Sequence, residues 1–458
     1  MNALFVLCGI GIASLLAEVV NFRKGLSVIL VAGLVATGVL LSLDWNLGLR
    51  YYNDMVVLDN FSIAFSVLIL GVGVLWFAIA RPFFRNQEYK TDRSALIIFA
   101  LVGAFLMVSF NNLAMLFLGI EILSIALYVL AGSRKKSYAS NEASFKYFLM
   151  GSFATGFFLF GVALLYGATG SFDVSRISAV IAGNPAVLPS FFYVGVMLIL
   201  VGMAFKMSAA PFHFWAPDVY EGSPTIVTAF MSTVVKIASV GAFFKMFVIC
   251  FSQVSESWTI ILQGLMVLTL IIGNLTAVYQ INVKRILAYS SVGHIGFILL
   301  AMIATPSSAG IILYYLAAYS IASIAAFGVV IRLEREGVSA TIPTFQGLFR
   351  RNPLLGVAMT VSLLSLAGIP PLAGFFAKYL VFGAAIESGY IFYVILGVIT
   401  SLIAVYYYFG IIKAIFSPTP TDASIGITLG EKIVFLILLI LTIALGIFPD
   451  PIISLLAI

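Results

Sequence analysis

The chain has 458 residues, of which 62% are hydrophobic and only 9% are charged. Soluble domains carry about 25% charged residues, and a mean hydropathy of +1.16 excludes an ordinary soluble protein. The formal net charge of +6 would suggest a nucleic-acid partner in a soluble protein, but in a membrane protein the charges of the connecting loops explain it. The composition therefore predicts an all-α polytopic membrane protein without a nucleic-acid ligand.

Fourteen apolar stretches are long enough to cross a bilayer, whose hydrocarbon core of about 30 Å needs about 20 residues per helix. They cover residues 1–20, 25–43, 59–80, 94–110, 112–132, 143–166, 191–213, 224–250, 257–279, 284–303, 308–332, 353–385, 389–416 and 431–456. The seventh contains Pro211 and the twelfth contains Pro370 and Pro371, and a proline inside a helix kinks or breaks it. We therefore expect about 14 transmembrane helices, with helices 7 and 12 broken.

Lysine and arginine are distributed unequally between alternate connections. The odd-numbered connections hold seventeen of them and the even-numbered connections hold two, Arg50 and Arg176. Cytoplasmic loops are enriched in these residues, so the map predicts that both termini lie on the outer side. Five lysines remain inside the predicted spans, namely Lys146, Lys206, Lys236, Lys245 and Lys378.

Spans 4–8 and 9–13 form two sets of five helices, and each set has a proline-interrupted helix in fourth place. Because five is odd, the two sets would be inverted relative to each other, as in inverted-repeat transporters. We therefore expect four regions along the chain. They are three N-terminal helices in 1–93, a first repeat in 94–256, a second repeat in 257–416 and a C-terminal helix in 417–458.

Several ionisable residues lie within the predicted spans, where each costs about 3 kcal/mol on insertion scales and is a functional candidate. Glu121, Lys236 and His294 lie near the centres of their spans, and Lys206 and Lys378 lie beside the prolines of the two broken helices. One carboxylate among lysines is a poor sodium site and favours a proton relay. A carboxylate near a buried lysine favours its charged form, so we expect Glu121 to hold Lys206 protonated until the pair is weakened.

Other charged or titratable residues have simpler alternatives. Lys146 follows Glu142 by four residues, which is the spacing of a helical ion pair. Lys245 lies near the outer end of its span, from which a lysine can snorkel to the interface. His213, beside Pro211, is as readily a hydrogen-bonded core histidine as a relay residue.

Motifs for bound cofactors are missing from the sequence. Cys8 and Cys250 lack Cys-x-x-Cys spacing, and no G-x-x-x-x-G-K-[ST] phosphate loop occurs. We therefore expect no metal site, iron–sulfur cluster or nucleotide site in this chain. A pump without its own energy source would receive energy from partner subunits.

Long motifs in order along the chain carry a family resemblance. They are FLGIEILSIALYVLAG, FKYFLMGSFATGFFLFG, FKMSAAPFHFWAPDVYEGSP, GNLTAVYQINVKRILAYSSVGHIGF and LAGIPPLAGFFAKYLVF. In these motifs the chain resembles the antiporter-like membrane subunits of respiratory complex I over essentially its whole length. It most resembles the subunit N type, called subunit 2 in mitochondria.

The resemblance implies proton translocation driven by quinone reduction in other subunits. It implies no cofactor in this chain, with quinone, FMN and iron–sulfur clusters in partner subunits, and it implies other membrane-arm subunits and lipids as neighbours in a bacterial inner membrane. Carried over by motif, it also implies a proton relay, formed by Glu121, Lys206, Lys236, His294 and Lys378, with Lys146 as a further lysine of the sixth helix.

Two other functions stay open at this point. Cation/proton antiporter subunits share this helix set, and sodium-dependent transport would favour them. A non-pumping structural spacer of the membrane arm would need the buried charges only as ion pairs, and normal pumping by a Lys206→Ala, Lys236→Ala variant would favour it. NADH is the expected electron donor, with ferredoxin as the alternative.

Overall fold

The computed structural model describes residues 2–20, 25–84, 90–183, 188–304, 309–418 and 424–456. Within these residues, thirteen helices are long and apolar enough to cross a membrane. Of the positive charges assigned to odd-numbered connections, Arg23, Lys24 and Arg85 lie outside the described residues. The chain is thus a helical, multi-pass membrane protein.

Helices follow one another along the chain because apolar backbone in lipid must satisfy its hydrogen bonds within each segment. In the first half they are α1 (Asn2–Val19), α2 (Leu26–Leu43), α3 (Asn60–Phe84), α4 (Lys90–Ser109), α5 (Leu113–Ala131), α6 (Tyr138–Thr169), α7 (Val174–Gly183), α8 (Ser190–Met207), α9 (Trp215–Gly222) and α10 (Thr225–Phe243). In the second half they are α11 (Ser255–Val278), α12 (Val283–Ala304), α13 (Ala309–Glu334), α14 (Leu348–Arg351), α15 (Pro353–Ala367), α16 (Ala373–Glu387), α17 (Ile391–Phe416), α18 (Leu429–Ile447) and α19 (Asp450–Ile453).

Short segments complete the architecture. α10 continues as a π-helix over Phe244–Cys250, and 3₁₀ turns cover Ser252–Val254, Ile342–Phe345 and Ser454–Leu456. Between α2 and α3, the strands β1 (Leu49–Tyr51) and β2 (Val56–Leu58) form an antiparallel hairpin in which Leu49 pairs with Leu58.

The hairpin and α7 are elements that the span map does not predict. Both lie in connections, where apolar length carries no information. Three residues of the hairpin turn, Tyr52, Asn53 and Asp54, have positive φ values between 53° and 64°. Asn and Asp tolerate this left-handed conformation better than most residues, so the turn chemistry explains where the chain reverses.

Two predicted spans have wrong ends for reasons of capping and proline. α6 begins five residues before the predicted 143, because the Ser137 side chain caps a polar first turn by accepting from Ser140 N–H at 3.4 Å. α6 ends at Thr169, three residues beyond the predicted 166, and the next residue, Gly170, has a φ of 69°, the left-handed conformation that stops helices. At the C-terminus, α18 ends at Ile447, two residues before Pro449, where the sequence predicted a helix to 456.

The twelfth predicted span is two helices in the structure, whereas the seventh contains only α8, and α9 begins two residues beyond its predicted end at 213. α8 ends at Met207 before α9 begins at Trp215, and α15 ends at Ala367 before α16 begins at Ala373. α15 and α16 have 15 residues each, which is too short for either to cross the bilayer alone.

The centre of the molecule is formed by α10, α12 and α13, whose residues are almost all buried. α1, α2 and α18 lie at the periphery and expose most of their residues. Close packing fixes α8 on α6, because a Cβ at Gly161 would lie 2.7 Å from the carbonyl oxygen of Gly195. Small residues of this kind allow membrane helices to approach closely, and here they position the broken helix that carries Lys206.

Candidate functional site

α8 and α15 end in the same backbone arrangement. Met207, the last residue of α8, is followed by Ser208 with φ 59°, and Ala367, the last residue of α15, is followed by Gly368 with φ 86°. In both cases the N–H of the left-handed residue returns to carbonyls of the last helical turn. Because the helix stops there, the carbonyls of Met207 and Ala367 have no intrahelical partner.

A cis peptide bond follows each of these caps at the same distance. It joins Ala210 to Pro211 in the first break and Pro370 to Pro371 in the second. The two breaks therefore correspond residue by residue from the last helical residue to the proline. This correspondence puts a free carbonyl in the same place at both breaks.

A lysine amine donates a hydrogen bond to each of these free carbonyls. Lys236 of α10 donates to the carbonyl of Met207, and Lys378 of α16 donates to the carbonyl of Ala367 at 2.9 Å. The C-terminal end of a helix carries partial negative charge, so both breaks favour a cation. Lys236 and Lys378 are only 1% and 5% exposed, so water competes little for either amine.

Lys206 lies in the last turn of α8 and contacts one face of α5. Its Nζ donates to Ser124 Oγ at 2.7 Å and lies 3.5 Å from the Tyr128 hydroxyl oxygen. Ser124 donates its own proton to the carbonyl of Ile120, so its lone pairs are free to accept from Lys206. Two neutral oxygens of α5 therefore surround this amine.

Glu121 acts on Lys206 through its charge, and the two side chains make no direct ion pair among the described residues. Ser124 is the hydrogen-bond partner that Lys206 uses instead. Within the described part of the chain, Glu121 Oε1 is buried without a hydrogen-bond partner. No salt bridge therefore joins Glu121 to Lys206 among the described residues, and the role of Glu121 in keeping Lys206 protonated stays a prediction.

His294 of α12 lies beside the second helix break. Its Nδ1 is 2.7 Å from the Tyr315 hydroxyl, and the charges of both Lys236 and Lys378 act on its ring. Beside the ring is a cavity of about 10 Å³ that reaches Ser365 at the second break, about enough for one water. The cavity therefore places His294 beside the α15–α16 break, and the order of the predicted relay stays a prediction.

Lys146 is brought to a different place from the other predicted residues. Its Nζ lies 2.8 Å from Glu142 and 2.7 Å from Asp218, and its side chain is 38% exposed. The ion pair with Glu142 is the alternative that the spacing allowed. Lys146 therefore belongs to a surface charge cluster near the start of α6, separate from the buried lysines.

This surface cluster holds α9 between two other helices. Asp218 accepts from Lys146 of α6 and, at 2.8 Å, from Arg285 of α12, while Arg285 also reaches Glu221 at 2.9 Å. Burial by itself would raise the pKa of Asp218, but the hydrogen bonds from Lys146 and Arg285 lower it overall. Asp218 is thus held as a carboxylate by groups of two helices.

Lys284, next to Arg285, holds the same short helix by its backbone. It is buried, and its Nζ donates to the carbonyls of Glu221 at 2.7 Å and Ser223 at 2.8 Å. These carbonyls lie at the C-terminal end of α9, where a cation is favourable. α12 therefore binds α9 through side-chain and backbone contacts together.

Two further candidates lie outside the line of buried lysines. Lys245 is buried in the π-helix 3.7 Å from Asp59 and 5.5 Å from the Phe110 ring centroid. Nine residues separate it from Lys236, which puts the two on opposite faces of the helix. His213 is buried against Phe214. Among the described residues, neither Lys245 nor His213 makes a hydrogen bond to a member of the predicted relay.

The sequence interpretation missed Ser124, Tyr128 and Tyr315. Ser124 and Tyr128 follow Glu121 by three and seven residues, which is the spacing of one helix face, so the charged residue could have led to them. Tyr315 lies on another helix from His294, and no spacing in the chain indicates that contact.

The described residues include the side-chain types that hold metal ions. In the ranges given above, no three His, Cys, Asp or Glu side chains are grouped so that they could hold a metal. Cys8 and Cys250 are free thiols.

Interrupted helices with buried lysines at the breaks define a class of polytopic ion-translocating membrane proteins. Residues 110–404 match the transmembrane family described as NADH:quinone oxidoreductase/Mrp antiporter. The chain belongs to this family.

Relatives match the chain from end to end. It is 44% identical to NADH-quinone oxidoreductase subunit N of Flavobacterium johnsoniae, with all of both chains covered, and 43% identical to that of Cytophaga hutchinsonii, with 98% of both covered. Among solved structures it resembles a chain of respiratory complex I from Thermus thermophilus, with 32% identity, a TM-score of 0.84 and 99% of both chains covered. A chain of the Mrp complex from Dietzia sp. has the same fold at 23% identity, with a TM-score of 0.88 and coverage of 100% and 97%.

Proposed function

We propose that this chain is a proton-translocating membrane-arm subunit of a bacterial NADH:quinone oxidoreductase. The end-to-end similarity to chains named subunit N supports this assignment. Quinone, FMN and iron–sulfur clusters would be bound by partner subunits, and this chain would bind no cofactor. It would couple to their redox chemistry through conformation and electrostatics, in contact with other membrane-arm subunits and lipids.

The observation that carries the proposal is that three buried lysines donate to neutral oxygens. Lys206 has a serine hydroxyl, and Lys236 and Lys378 have backbone carbonyls, as direct acceptors. A neutral acceptor binds both an ammonium and an uncharged amine, since each has N–H donors. Loss of a proton therefore leaves the hydrogen bond in place, whereas it would remove the charge on which a buried ion pair depends.

The proposed relay runs from Glu121 through Lys206, Lys236 and His294 to Lys378. Lys206 is the residue before Met207, whose carbonyl Lys236 binds. His294 shares a cavity with Ser365 and Ala377 beside the second break, and a positive charge on a nearby residue disfavours a second one. Such repulsion would pass a change at Glu121 along the line.

The proposal includes an orientation in the bacterial inner membrane. The excess of lysine and arginine in odd-numbered connections supports a cytoplasmic location for these connections and a periplasmic location for both termini. The matching ends of α8 and α15 support two inverted repeats, in 94–256 and 257–416. The three helices of 1–93 and the helix of 417–458 would flank them.

The decisive experiment replaces Lys236 in the complete enzyme complex, purified and reconstituted into liposomes. Lys236→Met removes the titratable group, and Lys236→Arg keeps a positive charge and N–H donors but does not release a proton. Proton uptake into the vesicles is measured together with quinone reduction. A proton-transfer group contributes about 100-fold or more to its step, so we expect both variants to translocate fewer protons per electron.

Lys432→Met, at an exposed lysine, is the matched control and should pump normally. Normal pumping by Lys236→Arg together with failure of Lys236→Met would assign Lys236 a fixed charge in place of a relay role. Normal pumping by both would favour the structural spacer. Pumping that requires sodium in the medium would favour a cation/proton antiporter subunit.

A further inference from the structure

Tyr128 extends the polar face of α5 toward the inner side of the membrane. Glu121, Ser124 and Tyr128 follow one another at the spacing of one helix face. In the proposed orientation α5 runs inward, and a rise of about 1.5 Å per residue places Tyr128 about 10 Å closer to the cytoplasm than Glu121. Tyr128 is therefore the innermost of these three residues, and it contacts the Lys206 amine.

The structure makes room for the Tyr128 hydroxyl at one glycine. A Cβ at Gly151 of α6 would overlap the hydroxyl oxygen of Tyr128 and would lie 2.8 Å from its Cζ. Any side chain at this position would displace the hydroxyl from Lys206. The absence of a side chain at 151 is thus a condition for the contact between Tyr128 and Lys206.

Aromatic side chains connect this point to the surface cluster. The Tyr147 ring packs edge-on against Tyr128, with centroids 4.8 Å apart, and stacks on Trp215 at 4.6 Å. Tyr147 is next to Lys146 in the chain, and Trp215 lies one turn before Asp218 in α9. The Lys146–Asp218 ion pair is therefore adjacent to the row of rings formed by Trp215, Tyr147 and Tyr128.

Tyr128 and Ser124 differ in what their protons do. Ser124 donates to the carbonyl of Ile120, so it accepts from Lys206 and has no proton to deliver. Within the described residues, the Tyr128 hydroxyl donates to no carbonyl. Its proton is available to an uncharged amine at Lys206.

We propose that the Tyr128 hydroxyl is the last proton carrier on the inner route to Lys206 and that Gly151 keeps it in position. The inference rests on the proposed function. In the step, the Tyr128 hydroxyl gives its proton to the uncharged amine of Lys206 while its oxygen takes a proton from a hydronium ion on the inner side. One O–H bond breaks and one forms at Tyr128, the hydronium becomes water, and Lys206 becomes an ammonium.

The test compares Tyr128→Phe with Gly151→Ala in the complete complex in liposomes. Phenylalanine keeps the ring and its packing and removes the hydroxyl, whereas alanine at 151 keeps the hydroxyl and displaces it. We expect each variant to slow proton uptake about tenfold. A well-positioned proton-transfer group contributes about 100-fold or more, and the 3.5 Å contact of Tyr128 with Lys206 is longer than an ideal hydrogen bond. The solvent deuterium isotope effect on proton uptake should change in both.

Gly156→Ala on the same helix is the matched control, because a Cβ there meets no atom within 4 Å; it should pump normally. The double variant Tyr128→Phe, Gly151→Ala should be no slower than Tyr128→Phe alone, since both changes act on one hydroxyl. If Gly151→Ala does not assemble, Tyr128→Phe decides the question by itself.

Normal proton uptake and an unchanged isotope effect in Tyr128→Phe would overturn the inference. Lys206→Met separates this outcome from failure of the proposed function. If Lys206→Met abolishes pumping while Tyr128→Phe leaves it normal, only the role of Tyr128 is wrong. If Lys206→Met also pumps normally, the proposed relay itself fails.

Discussion

The two helix breaks have the same backbone geometry but different surroundings. At the α8–α9 break, Lys206 lies among the hydroxyls of Ser124 and Tyr128 and feels the charge of Glu121. At the α15–α16 break, Lys378 binds one carbonyl and lies 4.9 Å from the Phe297 ring centroid. In both breaks a free backbone carbonyl accepts from a lysine amine. The side chains around each break differ, and we expect them to determine how readily the nearby lysines gain or lose a proton.

The breaks also differ in how tightly the chain resumes its helix. Counted from the last helical residue, Gly374 in the second break corresponds to Phe214 in the first. Phe214 is exposed, whereas Gly374 donates its N–H to Ser365 Oγ at 3.1 Å. The second break is therefore packed backbone against backbone where the first has room for a large side chain.

Gly374→Ala is expected to have the largest effect on stability. Its Cβ would overlap the carbonyl oxygen of Ser365, and because this atom belongs to the backbone, no rotamer change relieves the overlap. We expect a loss of about 3 kcal/mol, at the upper end for overpacking. The check is heat-induced maleimide labelling of buried Cys250 in the purified complex, read on the separated chain.

Two controls accompany this measurement. Gly383→Ala on the same helix meets no atom within 4 Å and should unfold like the parent. Phe214→Ala, at the corresponding position of the first break, should change the labelling temperature little. Equal destabilisation by Gly374→Ala and Phe214→Ala would contradict the difference between the breaks.

The left-handed caps should respond oppositely to substitution. At Gly368, with φ +86°, a Cβ would also lie 2.9 Å from Lys378 Cδ, so Gly368→Ala should cost about 2 kcal/mol. Ser208 already carries a side chain at φ 59°, and among the described residues its hydroxyl is buried without a partner. Ser208→Gly should therefore stabilise by about 1 kcal/mol. The same labelling assay measures both, and destabilisation by Ser208→Gly would refute this account.

Asp218→Asn should give the smallest effect, because Asp218 is a partly exposed member of the surface cluster at the first break. The pKa of Asp218 is lowered by Lys146 and Arg285. A lowered pKa stabilises the folded state above the unfolded value of about 3.9 and stops doing so as pH falls through the folded value. We expect Asp218→Asn to lose under about 1 kcal/mol after solvent screening.

The pH dependence provides the check on this small effect. The difference in labelling temperature between Asp218→Asn and the parent should stay constant from pH 7 to pH 5 and shrink only at about pH 4 and below. A difference that shrinks between pH 7 and pH 5 would mean that another group titrates. At the second break no comparable change is expected.

Local chemistry made much of this fold predictable. Apolar length located the spans, and Pro211, Pro370 and Pro371 marked the interrupted ones, because both signals act on their own segment. The extra turn at Ser137 was missed because capping can add polar residues that a hydropathy map assigns to a loop.

The candidate site was predictable only residue by residue. Burial of Lys206, Lys236 and Lys378 follows from their place in apolar spans. Their partners do not, because the carbonyls of Met207 and Ala367 become available only when the helix ends and another helix approaches. Glu121 was expected to hold Lys206 protonated, which stays a prediction, but the contact of Lys206 with Ser124 was not foreseen because it depends on the packing of α5 against α8.

The contact of Lys284 with α9 has a mechanical consequence. α12 lies in the proposed second set of five helices, and Lys284 binds it to the backbone of a short helix in the proposed first set. A shift of α12 along its axis by one residue, about 1.5 Å, would change the lengths of both bonds to Glu221 and Ser223 unless α9 moved with it. Because two hydrogen bonds and the Arg285 ion pairs join the helices, we expect α9, and with it the Trp215 ring over Tyr147, to follow a displacement of α12. These contacts would transmit a displacement from α12 to α9 without any change of charge.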